Sequence, residues 1–257
     1  MTNDDHPPFI IAHRGASADA PENTLPAFEL AWTQGADGIE GDFRLTRDGY
    51  VVCIHDPDTS RTCGENLLVA GSTLDELRSV DVGGWLSPDW TGTRIPTLDE
   101  VLATVPPGRK IFLELKTGPE IVAPLLAGLR RSPLDDRQIA ILSFQPEVLA
   151  AVRRLAPTLA LHWLVAFGNQ PRQAPAGNWA SILDVLATTG ATGLGTNDHP
   201  GLSRDLLARL DAAGVTHHAW TIDNPAAARR LLALGTRSIT TNRPAALRHA
   251  LRLEDPN

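Results

Sequence analysis

At 257 residues with 42% apolar side chains, the chain can build one large core and fits a single α/β barrel better than two small domains. A net charge of −7 and the lack of any long Lys/Arg cluster exclude a surface that tracks a nucleic-acid backbone. Two cysteines, Cys53 and Cys63, are too few for a disulfide framework and sit at no metal-ligand spacing.

Residues 1–8 are polar and acidic, lack the basic start and apolar stretch of a secretory signal, and are expected to form a disordered tail. No apolar run approaches the roughly 18 residues of a membrane span, so the chain reads as cytoplasmic with no integral membrane segment. Beyond the tail, short apolar runs alternate with helical patterns. Strands are predicted at 9–13, 38–45, 50–55, 110–116, 138–143, 159–165, 192–196, 217–222 and 238–241. Helices are predicted at 24–34, 98–104, 119–130, 146–155, 179–188, 203–213, 225–234 and 244–253. Ser203 and Asn224-Pro225 stand where N-cap and first-turn residues belong. Such units imply a parallel sheet with right-handed crossovers, and eight of them close into a TIM (β/α)8 barrel, here one domain over 9–253.

Nine strands are one more than the barrel needs. The surplus lies around Thr46-Arg47-Asp48-Gly49, whose Asp-Gly favours a two-residue type I′ hairpin loop. A loop of Asp48 and Gly49 sets Asp42 opposite His55; a loop one residue earlier sets Glu40 there instead. Either register carries the histidine to the carboxylates. Residues 57–96, rich in Gly, Ser, Thr, Asp and Trp, break the rhythm with one short helical pattern at 73–79. They are expected to form a small inserted cap segment over the barrel mouth.

Barrel strands present catalytic groups at their C-terminal ends. Those ends deliver His13 and Arg14, Glu40 and Asp42, Glu114 and Lys116, and Trp220; Ser143, Thr196, Asn197 and Asn242 close other strands. Glu40 and Asp42 leave one face of a strand, and Glu114 and Lys116 share a face of another. Carboxylates side by side on a buried face need a proton, a cation or a metal between them. Three carboxylates without a Cys or His cluster select one hard divalent cation, Mg2+ or Ca2+, over Zn2+. Only two basic residues are lysines, Lys110 and Lys116, which singles out an ammonium at position 116. A cation beside Arg14 and Lys116 suits an anionic, oxygen-rich group, above all a phosphodiester. His13 and His55 then supply an acid/base pair, because imidazole titrates near neutral pH. Taken singly, each group has a plainer role: an ion pair for Glu114–Lys116, core hydrogen bonding for a strand-end histidine, packing for Trp220. His6, His162, His199, His217, His218 and His249 are read in that plainer way. Convergence of independent strands on one rim favours the site for the others.

The ordered motifs His13-Arg14-Gly15, Pro21-Glu22-Asn23-Thr24, Gly35-Ala36-Asp37-Gly38-Ile39-Glu40-Gly41-Asp42, Leu45-Thr46-Arg47-Asp48-Gly49 and His55-Asp56 resemble the signature of the glycerophosphodiester phosphodiesterase family. The likeness continues in Arg61-Thr62, Gly84-Trp85, Ile95-Pro96-Thr97-Leu98, Leu113-Glu114-Leu115-Lys116, Ser143-Phe144 and Trp220-Thr221. The resemblance implies a TIM barrel with an insertion at 57–96 and a divalent cation, Ca2+ or Mg2+, on Glu40, Asp42 and Glu114. It implies His13 and His55 as the acid/base pair and Arg14 and Lys116 on the phosphate. Trp220 matches an aromatic that packs on glycerol, and Phe144 is expected in the same pocket.

Two positions depart from the pattern. Gly41 stands where a larger apolar residue is common and is expected to loosen packing on the outer face; Asn242 stands where Asp is frequent and removes a charge near the mouth. The expected activity is metal-dependent hydrolysis of glycerophosphodiesters to glycerol 3-phosphate and an alcohol. Its partner is a small-molecule substrate, with no nucleic acid. A lysophospholipase D-like or broad-specificity phosphodiesterase on the same fold would need an apolar groove, drawn from Trp85, Leu86 and Trp90. A non-catalytic barrel that binds phosphoglycerol compounds would have no use for two histidines and three carboxylates together.

Overall fold

The structure, a computed structural model, describes residues 9–168 and 179–253; the expected tail at 1–8 and His6 within it lie outside the described residues. Among the described residues there are nine strands: β1 (Phe9–His13), β2 (Gly38–Leu45), β3 (Val51–Cys53), β4 (Lys110–Leu115), β5 (Ile139–Ser143), β6 (Ala160–Val165), β7 (Gly193–Thr196), β8 (Thr216–Ala219) and β9 (Ser238–Thr241). Eight pair in parallel in the order β1-β9-β8-β7-β6-β5-β4-β2, and pairing of β1 with β2 closes the ring. Helices connect the strands, so the architecture is the predicted TIM barrel. The ninth, β3, runs antiparallel along the C-terminal end of β2, outside the ring.

Local chemistry explains the element boundaries. Thr24 caps the helix Leu25–Thr33, and Asn224 caps Pro225–Leu234 by accepting the N–H groups of Ala226 and Ala227. Ring strands are buried on both faces, which is why they read as nearly unbroken apolar runs. Between sheet and helices, Phe28, Ile39, Phe43, Leu113, Ile141, Leu149, Leu161 and Leu194 are fully buried in one core. Each contributes about 1.5–3 kcal/mol by leaving water. On β2 this layer takes Ile39, Gly41 and Phe43, so the period of two turns Glu40 and Asp42 to the opposite face.

Three expectations need correction here. The hairpin adopts neither predicted register. Phe43 pairs with Cys53 and Leu45 with Val51, and the Ile54 N–H donates to the Asp42 carbonyl at 2.8 Å. The cause is a three-residue loop, Arg47-Asp48-Gly49, in which Gly49 takes φ +87° and the Thr46 hydroxyl accepts the Tyr50 N–H. Packing at Gly41 is not loose either: a Cβ there would meet Cys53 Sγ and Phe28 Cζ at 3.1 Å, so those side chains already fill the space. Strand β8 stops at Ala219 rather than continuing to 222, and Trp220 follows just beyond it.

Residues 57–96 are more structured than their sequence suggests. They hold helices Ser60–Cys63 and Leu74–Arg78 and two 3-10 turns. Val69, Leu77, Val80, Val82 and Ile95 form a separate small core with Val52 and Ile54 of the hairpin. The insertion is therefore seated on β3 and its flank.

Candidate active site

Glu40 and Asp42 on β2 and Glu114 on β4 each bring a carboxylate oxygen to within 4.8 Å of the others, and all three side chains are buried. The β2–β4 register, which sets Asp42 beside Glu114, is what assembles them. Three such charges cannot all ionise in a low-dielectric pocket without compensation. Burial, reinforced by the neighbouring Asp42 charge, pushes Glu40 up to about 8 and Glu114 up to about 7. Burial pulls Asp42 the same way, but Lys116, Arg14 and His55 outweigh it and hold Asp42 well below the usual carboxylate range. Lys116 Nζ lies 3.0 Å from Asp42 Oδ1 and 2.5 Å from Glu114 Oε1, and Arg14 Nε lies 3.0 Å from Asp42 Oδ2. Glu40 Oε1 remains buried with no hydrogen-bond partner. Such an orphaned oxygen is costly unless an ion completes it. An all-oxygen donor set of this kind fits Mg2+ or Ca2+.

Two left-handed residues support the cluster. Arg14 takes φ 55°, and its main-chain N–H donates to Glu40 Oε2 at 3.0 Å. Gly15 follows at φ 82° against the backbone of Ala27, where a Cβ would come within 2.5 Å. Asn23 takes φ 58°, donates Nδ2 to Asp42 Oδ2 at 2.8 Å and accepts the Asp42 N–H at 3.0 Å.

The two predicted histidines face the same space from different supports. His13 Nδ1 lies 2.7 Å from Asn242 Oδ1, while Asn242 Nδ2 donates to Asp223 Oδ2 at 2.7 Å. Since the Asp223 carboxylate only accepts, the amide must turn its oxygen to His13, which fixes the proton on Nδ1. His13 Nε2 is left free, 4.0 Å from Glu40 Oε2. Burial, then the nearby Arg14 charge, lowers the His13 pKa. His55 Nδ1 lies 2.7 Å from Asp56 Oδ1, and its carbonyl accepts Nε and Nη2 of Arg44 at 2.9 and 2.7 Å. Burial lowers its pKa as well, against the pull of Asp42.

His13, Arg14, Glu40, His55, Glu114 and Lys116 line one cavity of about 170 Å³, with Phe144 and Trp220 on its wall. The two aromatic rings meet edge to face at 5.5 Å, and Lys116 Nζ lies 5.9 Å from the Phe144 ring centre. Asp42, fully buried, joins the group through its contacts with Arg14 and Lys116. All nine predicted site residues thus converge. Trp85, Leu86 and Trp90 do not line this cavity; Trp90 borders a separate groove with Arg78 and Arg94. Ser143 and Asn197, also strand-end candidates, hold neighbouring backbone: Ser143 Oγ donates to the Leu115 carbonyl, and Asn197 Oδ1 accepts the Phe167 N–H.

Residues 13–246 match the family model described as the glycerophosphoryl diester phosphodiesterase family. The chain belongs to this family. A glycerophosphodiester phosphodiesterase of Caldanaerobacter subterraneus is 34% identical over 255 residues, covering 95% of this chain and 98% of that protein. A Bacillus subtilis glycerophosphodiester phosphodiesterase is 30% identical over 252 residues, covering 92% and 84%. Among solved structures, an Oleispira antarctica phosphodiesterase in complex with the product sn-glycerol-3-phosphate superimposes with a TM-score of 0.85 at 29% identity, covering 95% of this chain and 97% of that one. As a member of the glycerophosphoryl diester phosphodiesterase family, the chain is a phosphoric diester hydrolase. Among the described residues, no helix is long and apolar enough to cross a membrane.

Sequence reasoning did not single out the residues that hold the site in place. Asn242, read only as a missing charge, is the hydrogen-bond partner of His13. Asn23 and Asp56 lay inside the quoted motifs without a role, and Asp223 and Arg44 carried no signal at all.

Proposed function

We propose that the chain hydrolyses glycerophosphodiesters to glycerol 3-phosphate and an alcohol, with one divalent cation, Mg2+ or Ca2+, held by Glu40, Asp42 and Glu114. When bound, the cation neutralises charge on the phosphate oxygens. Arg14 and Lys116 orient the phosphate from two sides, the guanidinium by paired hydrogen bonds and the ammonium as a point charge. Trp220 and Phe144 give the glycerol carbons an apolar wall. His13, whose Nδ1 faces a neutral amide, stays an unprotonated imidazole and takes a proton from the nucleophile through Nε2. His55, whose Nδ1 faces a carboxylate, is the better imidazolium and gives its Nε2 proton to the leaving alkoxide. The product named for the Oleispira antarctica structure is consistent with this choice of substrate.

The observation that carries the reading is the meeting of three carboxylates, one with an orphaned oxygen, and two pre-oriented imidazoles at one cavity. Its test is turnover of a panel of glycerophosphodiesters after EDTA treatment, with Mg2+, Ca2+ and Mn2+ restored separately. Glycerol 3-phosphate should appear only when a cation returns. Full turnover in EDTA would remove the metal from the reaction, and no turnover of any phosphodiester with any cation would remove the activity.

A further inference from the structure

Arg61 stands in the helix Ser60–Cys63 of the inserted segment, is 45% exposed and does not line the catalytic cavity. Its guanidinium nevertheless engages two carboxylates at once. Nε donates to Asp56 Oδ2 at 2.5 Å, Nη1 to Glu22 Oε2 at 2.9 Å and Nη2 to Glu22 Oε1 at 2.7 Å. Each carboxylate has its next contact inside the site. The other Asp56 oxygen lies 2.7 Å from His55 Nδ1, and Glu22 Oε1 also accepts Arg14 Nη1 at 2.9 Å. The chain His55–Asp56–Arg61–Glu22–Arg14 is therefore continuous, with charges that alternate along it.

Resting on the reading given above, we propose that Arg61 is a positioning residue that holds His55 and Arg14 in their working orientations together. Arg61 is 45% exposed but Glu22 and Asp56 only 14% and 27%, so its loss also costs stability, and the kinetic constants are what separate a positioning role from a merely structural one. Without it, Asp56 loses the anchor that keeps its carboxylate against the imidazole, and proton transfer suffers. Glu22 is then left to Arg14 alone and draws that guanidinium away from the phosphate, so substrate binding suffers. A lysine cannot substitute, because one ammonium does not span two carboxylates as a planar fork does.

The test is steady-state kinetics on glycerophosphocholine at saturating Mg2+, using the full chain. Arg61→Gln should lower kcat and raise KM, each by roughly tenfold or more, as misplaced catalytic groups do. Asp56→Asn should act mainly on kcat and Glu22→Gln mainly on KM. The double variant Arg61→Gln/Asp56→Asn should lose no more kcat than Asp56→Asn alone, since both cut one chain. Arg61→Lys should recover at most one of the two constants. Arg131→Gln, which breaks the exposed Arg131–Asp99 pair, serves as the control with wild-type constants. Wild-type constants in Arg61→Gln, multiplicative losses in the double variant, or full recovery in Arg61→Lys would overturn the role. If Arg61→Gln does not fold, the kcat-against-KM split between Asp56→Asn and Glu22→Gln decides alone, and its absence counts against the role. A wild-type protein without turnover defeats the phosphodiesterase reading instead, so the two failures are distinct.

Discussion

The rim histidines, His13 and His55, and the interior histidines, His162, His217 and His218, are all pushed by burial toward the neutral imidazole. Their partners differ. His217 lies between the Thr196 and Thr236 hydroxyls, His218 between those of Thr216 and Ser238, and His162 stacks on His218 with ring centres 4.0 Å apart. The Thr196 hydroxyl donates to the Asn197 carbonyl and the Thr216 hydroxyl to the Thr192 carbonyl, so each accepts from Nε2, and both ring nitrogens of His217 and His218 are engaged. The amide of Asn242 and the carboxylate of Asp56 hold only Nδ1 of His13 and His55, and each leaves the second nitrogen to the cavity. A depressed pKa is thus shared by both sets, and what separates the proposed acid/base pair from His217 and His218 is a second ring nitrogen left unengaged at the cavity.

That contrast can be broken most directly at the rim. His13→Ala or His55→Ala should cut kcat by about 10²–10⁴-fold, the range of a lost general acid or base, with cation binding measured by calorimetry unchanged. A near wild-type rate in either would erase the distinction. Glu40→Gln or Asp42→Asn should weaken cation binding and lower turnover together, by roughly 10²–10³-fold, because charge neutralisation is lost; intact cation affinity in both would count against the ligand set. A smaller effect follows from the raised carboxylates. Without a cation, Glu40 and Glu114 titrate at about 8 and about 7 in the folded state against an ordinary 4.5. The folded protein then holds more protons than the unfolded chain between those values, so its stability falls as pH rises through the window. Asp42 shifts the other way, and its contribution is lost only in acid. Mg2+ must displace those protons, so the gain in melting temperature it gives should be larger at about pH 8 than at about pH 5; equal gains would contradict the shifts. The smallest effect on activity belongs to the interior. His217→Ala should leave kcat far closer to wild type than either rim substitution, while unpaired threonine hydroxyls cost about 1–3 kcal/mol in denaturant unfolding.

The ring and its reactive rim were legible because they depend on local pattern. Alternation on β2 put Glu40 and Asp42 on one face, and strand ends pointed to His13, Glu114 and Lys116. Register was not legible to one residue: Asp-Gly suggested a two-residue loop, and the left-handed Gly49 belongs to a three-residue one. The supports of the site escaped for a related reason. Asn242 meets His13, and Asp223 meets Asn242, only through folding, and no periodicity reports contacts between residues so far apart. Gly41 was misjudged because an absent side chain says nothing about which neighbours, here Phe28 and Cys53, move into its place.

The His13–Asn242 hydrogen bond spans 229 residues and joins the first ring strand to the turn after the last. The proposed cation ligands need no such reach, since Glu40, Asp42 and Glu114 sit on the adjacent strands β2 and β4. During synthesis β2 and β4 emerge long before Asn242. A chain short of its final strand therefore lacks the partner that orients His13. With His13 in its proposed role, hydrolytic competence would belong to the closed ring, and a chain stalled before β9 would lack it.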